Sequence, residues 1–188
     1  MDRKRTSKFL SLILRHKPDA GHIRLDPAGW ADVAALLEGM AKAGRRKSFE
    51  QLVDVVESND KQRFSFNSDR TKIRAAQGHS TDVDLGYAPK QPPPFLFHGT
   101  VERFLQSIRA KGLIPGNRQF VHLSADLETA VKVGARRGKP VILNVDSGRM
   151  WRDGHVFHMS ENGVWLTPQV PPDFILPPTG LPCFWPFS

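Results

Sequence analysis

The sequence predicts an α+β protein in two parts, and three observations point to it. Helical patterns followed by a small hairpin fill the first part of the chain, and short strands alternate with helical patterns in the second. Between them, a proline cluster at residues 89–94 interrupts regular structure, because proline can neither continue a helix nor donate to a sheet ladder. We therefore predict domains at residues 1–88 and 89–188.

The helices of the first domain are predicted from apolar residues that recur every three or four positions. Thr6 or Ser7 is the expected N-cap of the first helix, and Pro18 should end it. Ser48 followed by Gln51 has the spacing of a capping box at the third helix. The three predicted helices are residues 7–16, 31–40 and 48–57.

Two short strands, residues 63–66 and 72–75, should follow as a hairpin. Three helices followed by a hairpin is the order of a winged helix, a common nucleic-acid-binding module. In the second domain, helices are predicted at 101–110 and 127–133. Strands are predicted at residues 95–97, 120–123, 141–145 and 163–167. We expect the proline-rich and aromatic tail from about residue 177 to be extended and packed on the surface, or partly disordered.

The charge balance favours polyanionic partners. The net charge is +8 and the pI about 10.0. Residues 1–88 carry 16 Lys and Arg against 12 Asp and Glu, and the rest carries 11 against 7. Each part is thus +4, so the basicity is not confined to a tail. RNA or nucleotide phosphates fit such a protein, although a generally basic surface is the alternative.

Cysteine content and hydropathy indicate the cellular compartment of the protein. Cys183 is the single cysteine, which excludes an internal disulfide and a cysteine-based metal site. The apolar run at residues 9–14 is too short for a signal peptide or a membrane span. We therefore expect a cytoplasmic protein that makes no use of a membrane. We also expect a monomer.

Two segments of the first domain carry candidate phosphate ligands. Arg15 and His16 lie at the predicted end of the first helix, where cations also interact favourably with the helix dipole. Arg74 lies in a predicted strand that leads into Gly78-His79-Ser80, so a forked donor stands beside a flexible loop. A solvated strand arginine is the alternative interpretation of Arg74.

The second domain carries candidate nucleotide ligands at two strand ends. His98-Gly99-Thr100 combines hydrogen-bonding side chains with a glycine that permits close backbone approach. His122 and Ser124 repeat a histidine and a hydroxyl at the next strand. The candidates here are His98, Gly99, Thr100, His122, Ser124 and Gly134, with the arginine pair Arg136 and Arg137 that follows Gly134. Neither a GxGxxG nor a P-loop glycine pattern is present, and no metal-ligand spacing is recognisable.

Taken in order, these segments resemble the tRNA 2′-phosphotransferase family. The resemblance runs over about residues 7–175, and its motifs are short but occur in a fixed order. They are Ser7-Lys8-Phe9-Leu10-Ser11, Leu14-Arg15-His16, Arg63-Phe64, Ile73-Arg74-Ala75-Ala76-Gln77-Gly78-His79-Ser80, Leu96-Phe97-His98-Gly99-Thr100, Gly112-Leu113, Val121-His122-Leu123-Ser124, Gly134-Ala135-Arg136, Asn162-Gly163-Val164-Trp165-Leu166-Thr167 and Val170-Pro171-Pro172. Phe120 and Phe97 depart from the family pattern, which often has His and Tyr there; neither position is a proposed catalytic group.

The resemblance implies an N-terminal winged-helix lobe that holds RNA and a C-terminal ADP-ribosyltransferase-like lobe that holds NAD. The RNA 2′-phosphate would attack the nicotinamide ribose of NAD, giving RNA-2′-phospho-ADP-ribose. The ribose 2″-hydroxyl would then attack phosphorus, releasing 2′-OH RNA and ADP-ribose 1″,2″-cyclic phosphate. The resemblance implies a catalytic quartet and a set of NAD ligands, without any metal. The quartet is Arg15, His16, Arg74 and Arg136, and the NAD ligands are His98, Gly99, Thr100, His122, Ser124, Gly134 and Asn162.

Two alternatives stay open at the sequence level. One is NAD-dependent ADP-ribosylation of a nucleic-acid or protein end, which would use only the first step. The other is a non-catalytic winged-helix RNA-binding protein, against which the intact quartet argues. The Gly-x-Arg spacing favours Arg136 as the fourth member, with Arg137 as the alternative.

Overall fold

A computed structural model describes residues 3–59 and 61–176. The chain forms two compact units that divide between Tyr87 and Ala88. The expectation of an extended tail from about residue 177 lies outside the described residues. The architecture is mixed, with helices and small antiparallel sheets, as the predicted α+β class requires. None of the helices in the described segments is long and apolar enough to cross a membrane.

The first unit contains three helices, α1 (Arg3–Ile13), α2 (Val33–Lys42) and α3 (Phe49–Glu57). The capping box at α3 is confirmed, because Ser48 and Gln51 each bind the other's backbone N–H. The N-cap predicted at Thr6 or Ser7 is wrong, since α1 begins four residues before Ser7 and Thr6 is buried inside it. Arg3 forms a forked ion pair with Asp54 of α3, at 2.6 and 2.7 Å, and this tertiary contact holds the added turn.

A three-stranded antiparallel sheet completes the first unit, in the order β1-β3-β2. The predicted hairpin is confirmed as β2 (Phe64–Phe66) and β3 (Lys72–Ala75). Residues 31 and 32, assigned to a helix from the sequence, instead form β1 (Ala31–Asp32), which pairs with β3. Asp32 then caps α2, with its side chain accepting from the N–H of Ala35 at 2.8 Å.

The second unit contains two three-stranded antiparallel sheets, ordered β4-β6-β9 and β5-β8-β7. Their strands are β4 (Leu96–Val101), β5 (Val121–Leu123), β6 (Pro140–Val145), β7 (His158–Met159), β8 (Trp165–Thr167) and β9 (Ile175–Leu176). The strands β7 and β9 were not predicted; each is two residues long and exists only through pairing. Phe97 and Ser124 exchange backbone hydrogen bonds of 2.9 and 2.8 Å, which joins β4 to the end of β5.

Three helices cover the sheets of the second unit: α4 (Leu105–Lys111), α5 (Leu127–Gly134) and α6 (Ser147–Arg152). The predicted helix at 101–110 is shorter than expected, because β4 extends to Val101 and a 3₁₀ turn precedes α4. Helix α6 was missed by the sequence; its single polar cap, Asp146, accepts from the N–H of Arg149. Each unit has its own cluster of buried apolar side chains.

Candidate functional site

In the first unit, the structure brings the Arg15-His16 segment against the loop that follows β3. The turn after α1 presents the carbonyl of Arg15 to the N–H of Ser80 at 2.9 Å. The His16 Nδ1 atom lies 3.0 Å from the Ser80 hydroxyl. Two motifs that are some sixty residues apart in the sequence therefore share one site.

Arg74 projects from the face of β3 opposite the core. Ile73 and Ala75 are buried, and alternation along a strand places Arg74 on the other side. Its guanidinium stacks on the Trp30 ring, with the central carbon 4.4 Å from the ring centre. Such a contact fixes the planar head while leaving its edge able to bind phosphate oxygens.

Between these cations lies His79, a residue quoted in the motif but not proposed as functional from the sequence. Its side chain is 1% exposed, and among the described residues neither ring nitrogen has a partner at full hydrogen-bonding geometry. Burial lowers the pKa of His79 to about 4, with further lowering by the charges of Arg15, His16 and Arg74, and the Leu14 backbone offsets part of this. His79 is therefore a neutral group packed among cations at neutral pH.

This burial predicts a pH-dependent stability. The folded pKa is depressed, so the unfolded chain binds the proton first as the pH falls. The contribution of neutral His79 to the free energy of unfolding is thus intact above about pH 6.5 and is lost progressively as the pH falls toward 4. The loss should approach about 3 kcal/mol at its acid end. Urea unfolding of the full chain at several pH values should show this slope, and His79→Gln should flatten it.

The exposed His22 offers a matched control for that measurement. It has a left-handed backbone with φ of 50°, which asparagine tolerates. His22→Asn should keep the wild-type pH slope. An equal slope in wild type and His79→Gln would contradict the assignment to His79.

In the second unit, the pairing of Phe97 with Ser124 sets His98 beside His122. The His98 Nδ1 atom lies 3.1 Å from the carbonyl oxygen of His122, and a carbonyl can only accept. Nδ1 therefore carries the proton, and Nε2 of the neutral ring is an acceptor. Burial lowers the pKa of His98, with the His122 carbonyl opposing and the Arg137 charge adding to the shift, so the neutral form is favoured.

Two arginines, Arg118 and Arg137, lie near this histidine pair, and Arg136 lies near Arg118. Arg118 was not identified from the sequence. Arg118 Nη1 lies 3.5 Å from His122 Nδ1. Burial lowers the pKa of Arg118, followed by the charges of Arg137 and Arg136. None of the three forms an ion pair with an acidic residue in the part of the chain that the structure describes. We name Arg118, Arg136 and Arg137 the arginine cluster; a cluster of like charges without acidic partners suits a bound anion.

The sequence signal for Arg118 was weak, because it stands in a turn outside every motif. Arg136 and Arg137 are neighbours in the chain. The charge of Arg137 lowers the pKa of both His98 and Arg118, and the charge of Arg136 lowers the pKa of Arg118. Both side chains are exposed in the short 3₁₀ turn that follows α5. The choice of Arg136 over Arg137 stays a prediction.

The glycines of this region have a packing role in addition to the proposed ligand contact. A Cβ on Gly99 would lie 1.9 Å from the backbone oxygen of Ala130, in α5. A Cβ on Gly134 would lie 3.1 Å from the oxygen of Thr100. The two glycines thus let β4 and α5 touch backbone to backbone, and this holds the turn that carries Arg136 close to β4.

The remaining predicted ligands are placed as follows. Thr100 is buried in β4, and Ser124 is half-buried at the end of β5. Asn162 lies in the turn between β7 and β8, where its Oδ1 accepts from the Ser160 hydroxyl at 2.8 Å. Within the described segments, no group of three or more His, Cys, Asp or Glu is arranged to hold a metal ion.

The geometry gives one cation-rich site in each unit, and comparison with known proteins assigns the chain. The family model described as RNA 2′-phosphotransferase, Tpt1/KptA family, matches residues 1–169. The chain belongs to the RNA 2′-phosphotransferase family. The resemblance predicted from the ordered motifs is therefore confirmed.

Relatives of high identity carry the same family name. A probable RNA 2′-phosphotransferase of Flavobacterium johnsoniae is 56% identical over 172 residues, covering 92% of this chain and 94% of the relative. Another, from Burkholderia pseudomallei, is 54% identical over 171 residues, or 91% and 93% of the two chains. A third, from Pseudomonas aeruginosa strain UCBPP-PA14, is 54% identical over 179 residues, or 93% and 98%. The 2′-phosphotransferase family thus spans both units.

Proposed function

We propose that this phosphotransferase is NAD-dependent and transfers an internal RNA 2′-phosphate to the ADP-ribose part of NAD. Family membership supplies the reaction class and the RNA substrate. The main observation that supports NAD dependence is the arginine cluster beside the His98–His122 pair. Cations that have no acidic partner among the described residues, together with a neutral acceptor, fit a pyrophosphate that is linked to ribose hydroxyls.

On the RNA side, Arg15, His16 and Arg74 would bind the 2′-phosphate. This dianion must approach a second anionic substrate, so fixed cations are needed to offset the repulsion. Arginine suits the task because it stays charged and binds two phosphate oxygens at once. The stacking of Arg74 on Trp30 and the contact of His16 with Ser80 support the view that these groups are held in place before substrate arrives.

On the NAD side, the Nε2 atom of His98 would accept a hydrogen bond from a ribose hydroxyl. Thr100, Ser124 and Asn162 would hold further ribose and phosphate oxygens, with Gly99 and Gly134 keeping the backbone close. Arg136, with Arg118 and Arg137, would offset the pyrophosphate charge. NAD supplies a ribose carbon whose bond to nicotinamide can break, and nicotinamide departs as a neutral ring.

Two transfers complete the proposed reaction. In the first, a 2′-phosphate oxygen bonds to the nicotinamide ribose carbon as the bond to nicotinamide breaks, giving RNA-2′-phospho-ADP-ribose. In the second, the 2″-hydroxyl of that ribose bonds to phosphorus and the bond to the RNA 2′-oxygen breaks. The proton lost by the 2″-hydroxyl reaches the RNA 2′-oxygen, and His16 is the group proposed to carry it. The products are 2′-OH RNA and ADP-ribose 1″,2″-cyclic phosphate.

We also propose the fold type of each unit. The order of α1, β1, α2, α3, β2 and β3, with a three-stranded antiparallel sheet, supports a winged helix for the first unit. Two three-stranded antiparallel sheets, with His98 and His122 paired on the neighbouring strands β4 and β5, support an ADP-ribosyltransferase-like second unit. A cytoplasmic location remains part of the proposal.

The test is incubation of the full chain with a 2′-phosphorylated oligonucleotide, with and without NAD. Removal of the 2′-phosphate should require NAD, release nicotinamide in equal amount and persist in excess chelator, because guanidinium groups supply the positive charge. The same RNA without the 2′-phosphate is the control and should leave NAD unchanged. Inorganic phosphate released without NAD would refute the proposal. A stable ADP-ribosylated RNA would instead indicate an ADP-ribosyltransferase.

A further inference from the structure

A basic groove lies on the first unit, along α1 and the end of α3. Its volume is about 540 Å³. Five cationic side chains line it together with hydroxyl and amide groups from Ser7, Ser11, Ser58 and Asn59. The five are Arg3, Lys4, Lys8, Lys61 and Arg63. We name this feature the α1 groove; none of the quartet residues belongs to its lining.

The groove is built for an extended anion. Lys4 and Lys8 are exposed and stand one helical turn apart, about 6 Å along the axis. Ser7 and Ser11 repeat the same spacing on the neighbouring row, so charge and hydrogen-bond donors alternate along the helix. Lys4 and Lys8 have no ion-pair partner among residues 3–59 and 61–176. Repeated cations at this separation match successive phosphates of a nucleic-acid strand.

The floor of the groove is ordered by hydrogen bonds between its own polar groups. Asn59 Nδ2 donates to the Ser7 hydroxyl at 3.3 Å, and Arg63 Nη1 donates to Asn59 Oδ1 at 3.3 Å. At the far end, Arg3 is paired with the carboxylate of Asp54. The polar groups are therefore held in position, and the charged side chains that line the groove are all cationic.

The groove adjoins the candidate phosphate site at Arg63. The guanidinium of Arg15 donates to the carbonyl of Arg63 at 3.4 Å, and the side chain of Arg63 lines the groove. A strand that presents a 2′-phosphate to Arg15 would leave along the α1 groove. This continuity favours RNA over an unrelated acidic partner.

We infer that the α1 groove binds the backbone phosphates of RNA nucleotides flanking the 2′-phosphorylated residue. The inference rests on the proposed function for the identity of the strand. It predicts that affinity grows with RNA length and that this gain depends on salt. A minimal dinucleotide would occupy the Arg15 site without reaching the groove.

The test compares Lys4→Ala/Lys8→Ala with the matched control Arg24→Ala/Arg46→Ala. All four positions are exposed, the charge change is the same, and alanine preserves helix α1. Steady-state kinetics with NAD would use a 2′-phosphorylated dinucleotide and long RNAs extending it on the 5′ side only or the 3′ side only. A second measurement would record binding of long single-stranded RNA lacking the 2′-phosphate against salt.

For Lys4→Ala/Lys8→Ala, the KM for long RNA should rise on the order of tenfold near 0.1 M salt when the RNA is extended on one of its two sides. The kcat and the KM for the dinucleotide should stay unchanged. The slope of log Kd against log salt should fall by about 1.4, or about 0.7 for each lost phosphate contact. The control should match wild type. An equal change in KM for dinucleotide and long RNA, or no change in either measurement, would overturn the inference. If wild type shows no NAD-dependent turnover, the proposed function fails, while the salt titration still decides the groove.

Discussion

Arg74→Ala and Arg136→Ala are expected to accumulate RNA-2′-phospho-ADP-ribose, which the wild-type enzyme turns over too fast to observe. In the proposed first step, a phosphate neutralises a cationic ribose, so charge is dispersed. In the second step, charge concentrates on a phosphorus that is gaining a fifth oxygen. Arginines that bind phosphate oxygens should therefore matter more in the second step.

The expected effect is large. Loss of one pre-organised donor typically slows a step on the order of 10²–10³-fold. Arg74 is such a donor, because it stacks on Trp30 at 4.4 Å. Lysine at either position should restore only part of the rate, since it keeps the charge but loses the fork. Comparison of the single variants Arg137→Ala and Arg136→Ala would show which of the two arginines is the fourth member of the quartet.

Rapid-quench sampling with end-labelled 2′-phosphorylated RNA measures this directly. The intermediate should migrate more slowly than substrate on a denaturing gel and decay to product. Arg46→Ala, an exposed residue outside both sites, should behave as wild type. If both alanine variants leave substrate untouched at all times, the two arginines act before or during nicotinamide loss.

Gly99→Ala is expected to prevent stable folding of the second unit. The added Cβ would lie 1.9 Å from the Ala130 oxygen and 2.8 Å from the Gly134 nitrogen. Both atoms belong to backbone, so no side-chain rotation can relieve the overlap, and α5 would have to move away from β4. Overpacking of this kind costs about 3 kcal/mol or more. The arginine cluster that follows α5 should be displaced with it.

Urea unfolding of the full chain, followed by amide hydrogen exchange of β4 and α5, would measure the effect. Gly154→Ala is the matched control within the same unit, because nothing lies within 4 Å of its added Cβ and its φ is 91°. That strained backbone should cost only about 1–2 kcal/mol. If Gly99→Ala is as stable as Gly154→Ala, Gly99 serves the ligand and not the packing.

Local signals predicted much of the first unit. The helix α3 is encoded by its own capping box, and the β2–β3 hairpin by short strand patterns around a turn. These elements were predictable because their determinants lie within a few residues of one another. The start of α1 was not, since the Arg3–Asp54 ion pair that holds it joins residues 51 positions apart.

The family followed from the sequence alone, because the order of the motifs is a property of the chain and not of its packing. The packing role of Gly99 could not be predicted from the sequence, because the close approach of Ala130 exists only after β4 and α5 have packed together. The same holds for β7 and β9, which are two-residue strands stabilised by pairing.

Within the candidate site, the sequence identified residues by chemical type, and tertiary structure decided their environments. Arg15 and Arg74 were identified as cations suited to phosphate. Only folding buries His79 among them and lowers its pKa to about 4, and only folding brings Arg118 to His122. Desolvation and charge–charge repulsion depend on distance in space, so no pattern along the chain could reveal them.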